Sequence, residues 1–321
     1  STIHGNSWNE IAFPGLWVPD VIVAPDSTGG KIVLAAVSGY GICKSLDSGV
    51  TWFHINTGLS NMAVYALEWT LGPSGNTILF AGTLGGGIYR STNYGASWQI
   101  TNQGTANVYG FSAKDSIIFC ATINGVYRSL NYGQTFFPVL SGQVSTSVGM
   151  LPDGNGNMVV YAGTYGNGIF RSTNTGSTWS PLNSGLQNLY MGGMDIHDTT
   201  LYASSSYGLH SITPHSSTWS VVHSLNSMRT VSCYHDGVDL SFFVGNYDGS
   251  GVVRSVDTGI TWNAFSEGLC ARPITCLTTI PSASAPDIFF AGASEEMGGV
   301  HRTIDAGNNW TPTGLYYGGT W

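Results

Sequence analysis

The stretch SLDSGVTW, Ser45 to Trp52, sets a carboxylate, a glycine and a tryptophan at fixed offsets in a chain where only 9% of residues are charged. The same spacing returns as STNYGASW from Ser91, SLNYGQTF from Ser129, STNTGSTW from Ser172, SVDTGITW from Ser255 and TIDAGNNW from Thr303. A degenerate copy, SITPHSSTW ending at Trp219, carries one extra residue and has lost the Asp and Gly, yet it falls where the spacing requires one. A trace, STIHGNSW, ends at Trp8. From aromatic to aromatic, Trp52, Trp98, Phe136, Trp179, Trp219, Trp262 and Trp310 stand roughly 38 to 48 residues apart, the period of propeller blades rather than of helical solenoids.

Working outward from the box, residues 59 to 102 read as four short β-rich runs separated by Gly, Asn, Ser and Pro, the pattern of antiparallel strands joined by tight turns. No window holds a 3.6-residue apolar period, so helix is not expected. Seven units of about 43 residues use up the 321 residues. The expectation is an all-β, seven-bladed β-propeller with four-stranded antiparallel blades, one domain over residues 1–321. First strands should surround the axis, and each box should join a third strand to a fourth. Residues Trp8 to Phe13 should add an edge strand to the last blade or latch beside its final strand, and how the ring is closed is left open.

Within the box, the Asp or Asn can accept backbone N–H bonds while the Gly supplies a positive φ, and the aromatic residue begins the fourth strand and packs between blades. Asp47, Asn93, Asn131, Asn174, Asp257 and Asp305 therefore read as structural. Four of the seven copies carry Asn or no acid at the Asp position, which a hydrogen-bond acceptor tolerates and a catalytic carboxylate does not.

The S-x-D/N-x-G-x-x-W text after G-[IV]-[YF]-R resembles the Asp-box, or bacterial neuraminidase (BNR), repeat, and the resemblance covers essentially the whole chain. It implies the propeller fold. It does not choose among functions, because such boxes occur in sialidases, xyloglucanases, sortilin-type receptors, propeller lectins and photosystem assembly factors, so function has to come from the site. The repeat modules of secreted and surface bacterial proteins, with text such as FAGTLGGGIYRSTNYGASW, resemble this chain most.

Composition narrows the partners. A net charge of −8 with 10 basic residues argues against nucleic acid and against an anionic membrane, and no apolar run reaches the 18 residues or so that span a bilayer. With 44 glycines and 16 tyrosines the composition is that of a secreted or cell-surface β protein. With no leader visible and Ser1 in place of Met, a processed mature chain is expected. Five widely spaced cysteines match neither a disulfide framework nor a zinc pattern. They read as small buried apolar residues, with Cys233 and Cys276 at one repeat position in neighbouring blades. The eight histidines lack metal-site spacing, His210 and His301 being strand residues of the repeat. No cofactor and no metal are expected, and oligomeric state is left open.

Six basic residues, Lys44, Arg90, Arg128, Arg171, Arg254 and Arg302, stand just before the Ser or Thr of a box and read as scaffold; Lys31 and Lys114 lie beside strand turns. Arg229 and Arg272 remain, at the starts of the first strands of adjacent units. The sialidase resemblance implies three arginines on a substrate carboxylate, which two cannot supply. Photosystem assembly factors imply an arginine patch for a peptide, also missing.

Ligands of propellers dock around the axis, where first strands begin and the loops from second to third strands end. Those places hold Trp17 and Tyr40; Met62 and Leu84; Tyr109 and Asn124; Tyr165 and Asn167; Tyr190 and Tyr207; Arg229, Tyr247 and Asp248; and Arg272, Glu295 and Glu296. Aromatic rings beside amides suit a neutral or weakly charged sugar. The expected ligand-binding set is Arg229, Arg272, Asp248, Tyr247, Tyr207, Tyr165 and Glu296, recognising a glycan or a protein partner without catalysis. The alternative is a glycoside hydrolase of the xyloglucanase type, in which Asp248, Glu295 and Glu296 would supply the two carboxyls that flank a scissile bond. Two arginines among three acids favour pairing of these charges, with the acid pKa values held down.

Overall fold

The computed structural model describes residues 9–12, 15–155, 157–224, 226–235, 240–266, 269, 273–280, 288–294 and 299–303. Seven four-stranded antiparallel sheets follow one another along the chain and form a seven-bladed propeller. Blade 1 is Asp20–Pro25, Lys31–Val37, Gly41–Ser45 and Phe53–His54, paired in that order from the axis outward. Second strands such as Thr77–Thr83 and Met158–Thr164 are buried at every residue because a neighbouring blade covers each face. That double cover explains why their text, TILFAGT and MVVYAGT, runs on as apolar and small residues instead of alternating.

The ring is closed by the expected edge strand. Asn9–Ala12 forms the outermost strand of blade 7, pairing with Gly299–Thr303 at Asn9↔Arg302 and Glu10↔His301. Trp8 and Phe13 lie outside the described residues, as do Trp310 and Asp305 of the last box.

Each intact box among the described residues is a hydrogen-bonded turn between third and fourth strands. In the first, Ser45 Oγ donates to Asp47 Oδ1 (2.8 Å) and accepts from Gly49 N–H (2.8 Å). Asp47 accepts from Thr51 N–H at Oδ1 (2.8 Å) and from Thr51 Oγ1 at Oδ2 (2.6 Å). Where Asn replaces Asp, the far hydroxyl reverses its role: Asn93 Nδ2 donates to Ser97 Oγ (2.9 Å), and Asn131 and Asn174 do the same to Thr135 and Thr178. A hydroxyl can donate or accept, which is why either residue serves. The glycine is not alone in the left-handed region. The residue before it is there too, at Ser48, Tyr94, Tyr132, Thr175 and Thr258, with φ between 54° and 59°.

That conformation turns the backbone carbonyl toward the preceding blade, and the repeat-position cations reach it. Lys44 Nζ donates to Tyr94 O (2.8 Å), Arg90 Nε to Tyr132 O (2.7 Å), Arg128 to Thr175 O, and Arg171 to Ser216 O in the degenerate turn of blade 5. Arg302 of blade 7 donates to Ser48 O of blade 1 and closes the same ladder around the ring.

The tryptophans divide into two groups. Trp98 and Trp219, each 3% exposed, donate from Nε1 to Ile55 O and Leu182 O of the preceding blade. Trp52, Trp179 and Trp262 are partly buried and donate to the glycine carbonyl of their own box. Deep packing between blades thus belongs to three of the described box aromatics, Trp98, Trp219 and Phe136, the last fully buried against blade 2. The two tryptophans follow a blade ending in NTGL or NSGL, whose glycine, Gly58 or Gly185, lies so close that a Cβ would sit 2.1 Å from the Trp98 or Trp219 carbonyl oxygen.

The cysteine reading needs correction. Cys276 stands opposite Gly292, the register of Thr230 opposite Gly245, whereas Cys233 stands opposite Phe242, three residues further along its strand. Cys233 and Cys276 therefore occupy different repeat positions: the two strands bulge at the same register, at Arg229 and at Thr275, so matching the text from Arg229 and Arg272 sets the strands three residues out of step. Cys43, Cys120 and Cys276 are buried free thiols and Cys233 is partly buried.

Candidate functional site

The first strands of blades 2 to 7 share an irregularity near their start. Pairing with the second strand slips between Val64 and Ala66, Val108 and Gly110, Ser145 and Ser147, Met191 and Met194, Met228 and Thr230, and Ile274 and Cys276. A bulge leaves a residue out of the ladder and re-aims its side chain. The residues passed over are Tyr65, Tyr109, Thr146, Gly192 with Gly193, Arg229 and Thr275, and every one of them lines a cavity of about 790 Å³ at the axis. Blade 5 has glycines at this point because its strand runs against blade 6; a Cβ on Gly192 would meet Arg229 O at 2.4 Å.

Aromatic rings dominate the mouth. Tyr65 is held edge-on between Trp17 and Tyr109, with ring centroids 5.6 Å away on each side, and Tyr165 meets Tyr190 edge-on at 4.9 Å. Arg229 reaches across the opening to donate from Nη2 to Tyr65 Oη (2.7 Å), and its guanidinium lies over the Tyr247 ring at 5.4 Å. Tyr165 and Tyr247 remain 66% and 59% exposed, so their faces are available to a ligand.

Of the expected binding residues, Arg229, Tyr165 and Tyr247 come together around this cavity. Tyr207 is exposed but stands outside the lining. Asp248 is also outside it: its Oδ1 accepts from Ser250 Oγ (2.7 Å) and Ser250 N–H (2.9 Å). Those bonds hold its carboxyl below the ordinary value, so the depression expected from an arginine arises within its own turn. Among the described residues Arg229 meets phenols rather than an acid. Arg272, Glu295 and Glu296 lie outside the described residues.

Three carboxyls near the axis were not anticipated. Asp20 lines the cavity and accepts at Oδ2 from Leu67 N–H of blade 2 (2.7 Å); Asp195 accepts likewise from Cys233 N–H of blade 6 (2.6 Å). First strands have no partner on the axial side, so their N–H groups need acceptors, and an acid on the preceding blade supplies one. Desolvation pushes Asp20 up to about 7 and Asp195 up to about 6. Glu68 is pushed up to about 8 by desolvation, with a further contribution from the charge of Asp20. The signal was present in the text as an acid inside a strand, DVIV, LEW and MDIH; bulged registers hid which way Glu68 and Asp195 face, while Asp20 lies in the unbulged first strand of blade 1 and its acceptor role depends on the neighbouring blade. Tyr65 was missed for the same reason, Met62 having been read as the axial residue of blade 2.

The fold and cavity define the class: a seven-bladed propeller of four-stranded blades with an aromatic-lined axial cavity. No family model and no curated protein matches the sequence. Among solved structures, the extracellular domain of a hybrid two-component system from B. thetaiotaomicron superposes with a TM-score of 0.68 at 15% identity, over 92% of this chain and 40% of that one. The GH74 xyloglucanase from Xanthomonas campestris gives 0.65 at 15% identity, over 95% of this chain and 54% of that one. YCF48 from Cyanidioschyzon merolae gives 0.63 at 13% identity, over 94% of this chain and the whole of that one. The chain thus spans about half or less of the first two. At these identities the likeness is one of fold.

Proposed function

We propose that this chain is a non-enzymatic propeller of the Asp-box type, secreted or displayed at the cell surface, that binds a glycan in the axial cavity. The observation that carries the reading is the cluster of tyrosines at the mouth, in which Tyr165, Tyr190 and Tyr247 are exposed and Tyr65 and Tyr109 line the wall of the same concave site. Sugar C–H faces stack on such rings while hydroxyls exchange hydrogen bonds with phenols. A concave site of this size suits a few sugar units better than the broad, flat contact of a standard protein partner.

The hydrolase alternative has less support. Hydrolysis requires one carboxyl that keeps its proton and a second across the bond. Among the described residues Asp20 is the one acid in the cavity lining, and Asp248 lies outside it with its carboxyl held below the ordinary value by Ser250.

A glycan array probed with the full chain, with a parallel assay for released reducing sugar, tests the reading. Binding without turnover is expected, weakened about tenfold or more by Tyr165→Ala, since loss of one stacked ring is of the order of 1.4 kcal/mol, and unchanged by Asp248→Asn. Turnover of any β-glucan by the wild type overturns it. If no glycan binds, a protein partner on this face becomes the better reading.

A further inference from the structure

One hydrogen bond crosses the axis, from Arg229 on the bulge of blade 6 to Tyr65 on the bulge of blade 2. Among the described residues that line the cavity, Arg229 is the one side chain with a fixed positive charge. The ion pair of His197 with Asp198 (3.3 Å) involves neither the cavity lining nor Arg229. A guanidinium has five N–H donors in a planar fork that matches a carboxylate, yet the partner here is a neutral phenol with the Tyr247 ring beneath. Tyr65 is positioned to replace that bond, because Trp17 and Tyr109 clamp its ring while its hydroxyl faces the cavity mouth. The acid that shares the lining, Asp20, is already engaged by Leu67 N–H.

We infer that the cavity selects sugars bearing a carboxylate, the uronate class, and that Arg229 is the selecting residue. The ligand carboxylate takes the guanidinium fork in a bidentate pair, and the released Tyr65 hydroxyl turns to a sugar hydroxyl. A neutral sugar leaves the Arg229–Tyr65 bridge closed and binds only to the rings. The inference rests on the glycan reading and narrows it to one chemical class. A planar monoanion fits the single fork better than a tetrahedral sulfate ester does.

The test is calorimetric titration of the full chain with oligouronides of galacturonate, glucuronate and mannuronate. Each is compared with its carboxyl-reduced, neutral form and with the 6-sulfated form of that neutral oligosaccharide. The wild type should prefer at least one uronide over its reduced partner by about tenfold or more, the range of a charge-assisted bidentate pair. Arg229→Met should bring the two affinities together. Should that variant unfold, Arg229→Lys keeps the charge without the fork and should lose most of the preference. Tyr65→Phe should keep or increase the preference, since the guanidinium then has no phenol to leave, an effect that a purely structural bridge would not produce. Equal affinity for acidic and reduced forms, a preference that survives Arg229→Met, or stronger binding of the sulfated form overturns the inference while leaving the glycan reading in place. Failure of every oligosaccharide, acidic or neutral, sinks both.

Discussion

Replacing Asp20 with Asn should stabilise the protein at alkaline pH and leave it nearly unchanged at acidic pH. In the folded chain this carboxyl is withdrawn from water at the axis, with its Oδ2 bonded to Leu67 N–H, and its pKa rises from an ordinary 3.8 to about 7. A group that holds its proton more tightly when folded contributes stability that is complete below the unfolded pKa and lost as pH rises through the folded one. For Asp20 the loss runs from about pH 4 to about pH 7. At about 1.36 kcal/mol per pH unit, a rise of about three units bounds the effect near 4 kcal/mol. The side chain keeps some contact with the cavity, and water entering on ionisation reduces the cost, so about 1 to 3 kcal/mol is expected. Asn retains an oxygen for Leu67 N–H and carries no charge. Glu68 and Asp195, both raised by desolvation, titrate in the same direction, whereas His210, lowered by burial, acts in the opposite one. The informative quantity is therefore the difference in unfolding free energy between variant and wild type, taken from urea titrations at pH 4, 6 and 8. It should grow from near zero at pH 4 to about 1 to 3 kcal/mol at pH 8. A difference independent of pH would refute the desolvated placement of this carboxyl.

Asp47→Ala removes the acceptor for Thr51 N–H, Thr51 Oγ1 and Ser45 Oγ, and should lower stability by about 1 to 2 kcal/mol in the same titrations, with glycan affinity unaltered. Lost binding at unchanged stability would make the box a site. Gly58→Ala places a Cβ 2.1 Å from Trp98 O at a φ of +89°. It should cost about 2 to 4 kcal/mol, visible as a lower thermal midpoint; an unchanged midpoint would refute the close approach of blades 1 and 2.

The sequence by itself determined the blade count and the place of the boxes, and it marked the segment that meets the last blade, while the pairing that closes the ring came from the structure. What was legible depends on local pattern: a turn of eight residues, an aromatic at a regular interval, and a leftover apolar stretch at one end. It also determined that Lys44, Arg90, Arg128, Arg171 and Arg302 are scaffold, because repetition at one position shows that a side chain serves the repeat. Their partners, carbonyls on the next blade that belong in four of the five cases to left-handed residues, were not legible, since the contact joins separate blades and mostly depends on a backbone conformation that Ser, Tyr and Thr rarely adopt. The axial site was legible in part. Arg229, Tyr165 and Tyr247 stood out by chemical type, but Asp248 was taken for a partner of Arg229 when its oxygens are satisfied by Ser250 two residues away. What only the tertiary structure decided is which residues face the axis. A bulge in six of the seven first strands shifts the alternation of side chains by a residue or more. It turns Tyr65 and Thr275 into the cavity and, across a ring whose opposite blades are far apart in sequence, brings Arg229 within 2.7 Å of Tyr65. Period-two patterning cannot locate such a shift, because the extra residue is recognised only by what it fails to pair with.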